Sequence, residues 1–252
     1  MSKIYEALMK AGRGSNPDEP KVKFSTLNLF RDGHRLRIDF DLDPDVEEQY
    51  QKLRHRVLPG PKQPPIKVIM VAATDHGVGG TTTAAILATT LARQKNFRTL
   101  LVDANLRTPA LDDVFTGQQN PSGLSDVVLS EIDLEQSIYQ TDRPNLFVLP
   151  CGKPVASPSY VFDGETLTDI LNKLRDRFDF IIFDAAPIGA YSESSFLAPK
   201  VDGVILVIEA ERTKREVVRT IKKEMEAAGV NILGVVLNKK KTYIPKFLER
   251  FL

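Results

Sequence analysis

The stretch from Ile66 to Gln94 joins a short apolar run, a glycine-rich turn and a threonine-led helical pattern, as phosphate-binding loops do. Backbone N–H groups at the start of such a helix can hold phosphate oxygens. The candidate phosphate-contacting residues are Gly77, Val78, Gly79, Gly80, Thr81 and Thr82. The lysine that normally precedes the Ser or Thr of this loop is absent, because Gly80 stands in its place. The sequence therefore keeps a place for a nucleotide and lacks the usual cation.

Two aspartates add chemistry to this loop, since each follows an apolar run. Asp103 lies in LLVDANLRTP and Asp184 in FDFIIFDAAPI. A carboxylate at the end of a strand beside a phosphate loop can hold Mg²⁺ through water, and the hydroxyl of Thr81 can join it. A strand-end aspartate can instead cap the following helix or turn. The three segments together favour a metal site, with Asp103 and Asp184 as the candidate catalytic residues.

The elements that must position these residues alternate along the chain from Ile66 onward. The predicted strands are Ile66 to Ala72, Thr99 to Asp103, Asn145 to Leu149, Phe180 to Asp184, Gly203 to Glu209 and Ile232 to Asn238. The predicted helices include Asp45 to Leu58, Thr81 to Gln94, Glu165 to Phe178 and Thr213 to Ala228, the last with a Thr213–Glu216 capping box and a stop at Gly229. This order predicts an α/β fold, a doubly wound and mainly parallel sheet of the P-loop type with helices on both faces. Ligands of such folds bind at the carboxyl ends of the strands, where the candidate residues fall.

Composition and domain order restrict the class of protein. With 252 residues and a formal net charge of +1, the chain has no global field that would draw it to nucleic acid. A single cysteine, Cys151, excludes an internal disulfide framework, and no apolar run is long enough for a signal peptide or a membrane span. We expect a cytoplasmic protein. We divide it into an N-terminal extension (1–44), partly disordered, a lead helix with a Pro-rich linker (45–65) and a P-loop domain (66–252).

These motifs resemble those of the cytoplasmic bacterial tyrosine kinases of capsule and exopolysaccharide export, which are relatives of the Min-type and Par-type ATPases. The phosphate loop of that family is similar to AATDHGVGGT, and its second nucleotide motif, built on two aspartates followed by arginine and proline, is matched by DANLRTP. Its strand ending in Asp-x-Pro-Pro is matched by DAAP, its arginine-bearing helix by EEQYQKLRHRV and its last strand by GVVLNKK. The resemblance runs from about Asp45 to the C-terminus. It implies ATP or ADP with Mg²⁺ as cofactor and a membrane polysaccharide co-polymerase as partner, through its cytoplasmic segment.

The chain also departs from the family pattern at several positions. Gly80 replaces the loop lysine, Asn105 replaces the second aspartate, and Gln51 replaces an arginine of the subunit-contact helix. The family's C-terminal tyrosine cluster is reduced to Tyr243. Since a cationic clamp can contribute about 10³ to 10⁵ in phosphoryl-transfer rate, these losses predict weak or lost transfer. Arg107 and Lys67 are the cations close by in sequence, and Arg107 is the candidate for contacting the nucleotide.

Three functions stay open on these grounds. The first is a kinase-like regulatory partner in exopolysaccharide or capsule assembly, the second an active ATP-dependent protein-tyrosine autokinase, and the third a Min-like membrane-associated positioning ATPase. The third would use the basic, apolar tail KKKTYIPKFLERFL, which can lie on the inner face of the membrane or pack against the protein itself or a partner subunit. A homo-oligomer is compatible with the altered arginine helix. The three histidines lack metal-ligand spacing, and His76 in the loop could donate to a phosphate.

Overall fold

A computed structural model describes residues 28–32, 35–39, 44–58, 65–94, 97–109, 111 and 121–240 of the chain. Most of the N-terminal extension, most of the Pro-rich linker and most of the C-terminal tail lie outside these ranges. Ahead of the main domain, strands β1 (Asn28–Asp32) and β2 (Arg35–Asp39) form an antiparallel pair. The sequence analysis did not predict this pair.

A seven-stranded sheet forms the centre of the protein. Its strands are β3 (Val68–Ala73), β4 (Thr99–Ala104), β5 (Tyr139–Gln140), β6 (Leu146–Leu149), β7 (Phe180–Ala185), β8 (Gly203–Glu209) and β9 (Ile232–Asn238). They lie in the order β5-β6-β4-β7-β3-β8-β9, and every neighbouring pair is parallel except β5 with β6. The predicted mainly parallel sheet is confirmed, and it sets the ends of β7, β3 and β8 side by side.

Helices cover both faces of the sheet. They are α1 (Pro44–Val57), α2 (Gly80–Ala92), α3 (Leu124–Val128), α4 (Ser159–Asp163), α5 (Glu165–Arg177), α6 (Glu193–Leu197) and α7 (Arg215–Ala227), with short 3₁₀ turns at Leu134–Ser137 and Ala198–Lys200. Among the described residues, no helix is both long enough and apolar enough to cross a membrane.

Alternate side chains of the strands enter two separate cores, because successive residues of a strand point to opposite faces. Val71 and Ile182 pack against α2 on one face, whereas Met70 and Phe183 pack with α5 and α7 on the other. Helix α2 is buried from Thr83 onward, which explains its content of small and apolar residues. The phosphate-loop helix is therefore held rigidly against the strands that carry the two aspartates.

The start of α7 differs from the sequence prediction. Lys214, not Thr213, precedes the first helical residue, and no side chain caps that end. The Thr213 hydroxyl instead accepts a hydrogen bond from the backbone N–H of Glu209 at 3.0 Å and lies 3.4 Å from the Thr74 hydroxyl. The predicted capping box is therefore wrong, because these contacts at the end of β8 engage the hydroxyl. The predicted stop at Gly229 is confirmed, with a backbone φ of 72° just beyond the helix.

Candidate nucleotide site

The loop from Thr74 to Gly79 joins β3 directly to α2 and depends on two glycines. Gly77 and Gly79 have φ values of 71° and 100°, a region that residues with a Cβ rarely adopt. Gly79 immediately precedes α2, and its carbonyl accepts hydrogen bonds from the backbone and the hydroxyl of Thr83. The loop thus turns sharply enough to aim the first turn of α2 at the carboxyl edge of the sheet, which is the arrangement that binds phosphate.

Asn238, at the end of β9, is hydrogen-bonded to this loop. Its Nδ2 donates to the carbonyl of Val78 at 2.8 Å. A Cβ at position 79 would lie 2.2 Å from the same nitrogen, so only glycine fits there. Sequence reasoning did not single out Asn238, although its place at the end of a predicted strand was the available signal. The side chain of Val78 is buried in the core, so only its backbone can face a phosphate.

Gly80 occupies the position of the missing lysine and is the first residue of α2. A Cβ built there would lie 3.2 Å from the Cβ of Ala73, a close contact that a shift of a few tenths of an ångström would relieve. Its φ lies outside the left-handed region, unlike that of Gly79. The backbone therefore does not demand glycine at position 80, and the loss of the lysine is a loss of charge on an intact frame.

Asp184 is the carboxylate most closely joined to the phosphate-loop helix. It lies at the end of β7 with 1% of its surface exposed, and the hydroxyl of Thr81 interacts with it. Burial raises the pKa of Asp184 to about 7, and the Thr81 hydroxyl opposes that shift. Its Oδ2 is buried without a hydrogen-bond partner in the described part of the chain. A buried oxygen with no donor, beside a threonine hydroxyl, fits a hard cation such as Mg²⁺.

Asp103 pairs with Asp184 across strands β4 and β7 and is fully buried, but its surroundings differ. One of its oxygens accepts from the backbone N–H of Asn105 and the other from that of Leu111, both at 3.0 Å. Asn105 in turn donates to the Thr108 hydroxyl at 3.0 Å. Asp103 therefore caps the loop that follows β4, which is the alternative role that the sequence analysis left open for a strand-end aspartate. The described residues contain no group of three or more His, Cys, Asp or Glu side chains able to hold a metal.

Arg107, on the same loop, is held by residues that follow β7. Its Nε and one terminal nitrogen both lie 2.6 Å from Oε1 of Glu193, a side chain that is only 3% exposed. The guanidinium carbon lies 4.9 Å from the centroid of the Tyr191 ring. The Tyr191 hydroxyl reaches Nε2 of His76, in the phosphate loop, at 3.1 Å. Glu193 and Tyr191 were not predicted from the sequence, and they join Arg107 to the phosphate loop.

Lys67, the other cation close by in sequence, lies at the opposite edge of the sheet. Its Nζ donates to the carbonyl of Arg175 at 2.9 Å, and its backbone N–H donates to Asp202 at 2.8 Å. It precedes β3, whereas the phosphate loop follows β3, so the length of the strand separates them. Lys67 therefore cannot supply the charge that is missing at Gly80.

A protein-family model described as an AAA domain matches residues 66–231 of the chain. The chain is 32% identical over 194 residues to the tyrosine-protein kinase CpsD of Streptococcus agalactiae, which covers 77% of this chain and 83% of the relative. Among solved structures, the chimerical protein CapA2B2 is 27% identical with a TM-score of 0.73, over 79% of this chain and 87% of that one. The septum site-determining protein MinD of Pyrococcus horikoshii, complexed with Mg-ADP, is 26% identical with a TM-score of 0.57, over 68% and 69% of the two chains.

Proposed function

This chain belongs to the family of bacterial tyrosine-protein kinases, and from that premise we propose that it binds ATP or ADP with Mg²⁺ and transfers phosphate weakly or not at all. Its role would be that of a regulatory partner in the biosynthesis and export of exopolysaccharide or capsule. The observation that carries this proposal is the contrast within one loop. The frame and the Asp184–Thr81 pair are intact, whereas position 80 has no cationic side chain.

Nucleotide binding draws on the parts that remain. Backbone N–H groups of the loop and the first turn of α2 would hold the phosphates, with Gly77 and Gly79 allowing their close approach. The hydroxyl of Thr81 and the carboxylate of Asp184 would hold Mg²⁺ or its water ligands. Bound Mg²⁺ would neutralise charge on the β- and γ-phosphate oxygens. Because the pKa of Asp184 is raised to about 7, metal binding near neutral pH would release a proton from it.

Phosphoryl transfer needs more than binding, since it depends on positioning and on charge stabilisation in the transition state. A cationic clamp on the transferring phosphate, such as an arginine finger, contributes about 10³ to 10⁵ in rate. Gly80 removes one such group, and Asn105 puts a neutral amide where the family has a second acid. In the structure that amide closes a turn with Thr108. Both substitutions leave the backbone of the site in place and remove charged side chains from it. We therefore expect nucleotide binding to be retained and phosphoryl transfer to be weak or lost.

The partner that we propose is the cytoplasmic segment of a membrane polysaccharide co-polymerase. The support is the family resemblance, which covers the sheet, its three motifs and the lead helix. In this proposal the chain is recruited to the inner face of the membrane by that segment. A pull-down with the immobilised segment should retain the chain, and retention should depend on nucleotide if the site regulates the contact.

Calorimetric titration with ADP and ATP, with and without Mg²⁺, tests the central claim. We expect micromolar binding that needs Mg²⁺ and that weakens at least tenfold in Asp184→Ala. Asp169→Ala, on an exposed position of α5, is the matched control and should bind as the unaltered chain does. No binding of either nucleotide at millimolar concentration would contradict the proposal and would leave the loop as scaffold alone.

An active tyrosine autokinase is the second candidate, favoured by the retained contact between Asp184 and Thr81. It predicts phosphotyrosine on the purified chain after incubation with Mg-ATP, and loss of that signal in Asp184→Ala. Phosphotyrosine formed at a rate comparable to that of a lysine-bearing relative would replace the first proposal by this one.

A further inference from the structure

The carboxyl edge of the sheet carries cations on both sides of β3, but they differ in what they face. Arg212 and Lys239 lie on the β8–β9 side, where both pair with Glu209, at 3.1 and 3.2 Å, and Arg212 also lies 3.5 Å from Asp75 in the phosphate loop. Arg107 lies on the β4–β7 side, which is the side that carries Asp184. Since Asp184 meets Thr81 there, the metal and the terminal phosphate of a nucleotide would also lie on that side. Arg107 is thus the described arginine on the side where we place that phosphate, whereas Arg212 is already paired with two carboxylates.

The way in which Arg107 is held leaves part of it free for a ligand. Glu193 engages Nε and Nη2 through a single oxygen, and Nη1 makes no hydrogen bond to any described residue. The Arg107 side chain is 44% exposed, whereas that of Glu193 is 3% exposed. A buried carboxylate of this kind fixes a guanidinium strongly, because charge-assisted hydrogen bonds gain strength away from water. The two N–H groups of Nη1 therefore face solvent, while the rest of the guanidinium is held in place by Glu193.

Tyr191 limits where Nη1 can point. Its ring lies against the guanidinium at 4.9 Å, and its hydroxyl contacts His76 of the phosphate loop. Stacking of arginine on an aromatic face holds the guanidinium plane. One ring thus touches both the arginine and the loop that would hold the phosphates. This brings Arg107 within one aromatic side chain of that loop.

From this geometry we propose that Arg107 is the specificity-determining residue that distinguishes ATP from ADP in this chain, with Glu193 as its positioning residue. The inference rests on the proposed nucleotide binding and deepens it. Arg107 takes over the recognition of the γ-phosphate that a lysine at position 80 would provide, through Nη1. The site then reports the ATP-to-ADP ratio to a partner and does not need rapid phosphoryl transfer.

Titration of the unaltered chain and three variants with Mg-ATP and Mg-ADP tests this inference. Arg107→Ala should reduce the preference for ATP over ADP by about tenfold, equivalent to about 1.4 kcal/mol, and leave the ADP affinity within twofold. Arg107→Lys, which keeps the charge, should recover part of the preference. Glu193→Gln should lower it less than Arg107→Ala does, while the affinity for ADP and the melting temperature stay close to those of the unaltered chain.

Arg175→Ala is the matched control, because it removes an arginine paired with a carboxylate, that of Asp202, at the opposite edge of the sheet from the phosphate loop. It should keep the full preference for ATP. An equal preference in Arg107→Ala and in the unaltered chain would overturn the inference and leave the proposed binding function standing. No binding of ADP or ATP by the unaltered chain would overturn both.

Discussion

Asp184→Asn should stabilise the metal-free protein at neutral and alkaline pH, by an amount that the burial of this carboxylate sets. The pKa of Asp184 is raised from 3.8 to about 7. The unfolded chain therefore ionises Asp184 near pH 4, whereas the folded chain keeps the proton until about pH 7. The stability that the protonated form contributes is complete below pH 4 and is lost as the pH rises to 7.

The magnitude follows from the shift of the pKa of Asp184 by about three units. One unit corresponds to about 1.4 kcal/mol, so up to about 4 kcal/mol is lost between pH 4 and pH 7. Asparagine cannot ionise and escapes that loss. We therefore expect Asp184→Asn to match the unaltered chain at pH 4.5 to within about 1 kcal/mol, and to exceed it by about 2 to 4 kcal/mol at pH 8.

Urea unfolding in EDTA at several pH values between 4.5 and 8 measures this difference. Asp103→Asn is the contrasting variant at the paired position of β4. Both oxygens of Asp103 accept backbone N–H groups, so an amide there leaves one donor without an acceptor. We expect it to destabilise the fold by about 1 to 3 kcal/mol at pH 8. If Asp184→Asn were destabilising by an amount that does not change with pH, the reasoning about its strained carboxylate would be wrong.

Three other variants test the frame of the site. Gly80→Lys should raise the affinity for Mg-ATP by about tenfold relative to Gly80→Ala, which adds only the Cβ; equal affinities would show that charge is not the deficit. Gly79→Ala should destabilise the fold by about 1 to 3 kcal/mol, because position 79 has a φ of 100° and the new Cβ would contact Asn238. Adding Asn238→Ala to that variant should recover part of the lost stability, as measured by urea unfolding. Arg175→Ala should cost about 1 to 2 kcal/mol of stability at pH 7 without altering nucleotide affinity. Because Arg175 lowers the pKa of Asp202, that stability is present above the ordinary carboxyl pKa, and the loss should shrink as the pH falls below 4.

The sheet could be predicted from the sequence because its parallel strands are buried on both faces. Near-continuous apolar runs such as Val68–Ala73 and Gly203–Glu209 are produced by that burial, so their ends were placed within about two residues. The hairpin of β1 and β2 has no continuous apolar run and was missed, although the alternation of polar and apolar residues in Arg35–Asp39 was an available signal. The predicted capping box at Thr213 was wrong for another reason. Its local pattern favours a cap, but contacts at the end of β8 engage the hydroxyl.

The site was predictable only as far as its residues lie in motifs. The loop, Asp103 and Asp184 each follow a strand, and a parallel sheet brings such ends to one edge. Glu193 and Tyr191 lie outside the quoted motifs, and Asn238 lies in GVVLNKK without a predicted role. All three reach the site through contacts across 86 to 160 residues of chain. Lys67 shows that closeness in sequence alone does not place a residue at the site, since the length of β3 separates it from the loop.

The unfavourable burial of the Asp184 carboxylate supports a site that binds a metal over a loop that is only structural. A buried carboxylate with an unpartnered oxygen lowers the stability of the metal-free fold, and asparagine would remove that loss. Metal binding would recover it, because a cation stabilises the ionised form. Gly80 needs no such explanation, since its position tolerates a side chain with a small shift of Ala73. We therefore expect the acid that binding requires to lower the stability of the metal-free fold, whereas the backbone at position 80 does not exclude the lysine that transfer requires. That pairing supports the proposal that this domain binds nucleotide and transfers phosphate weakly or not at all.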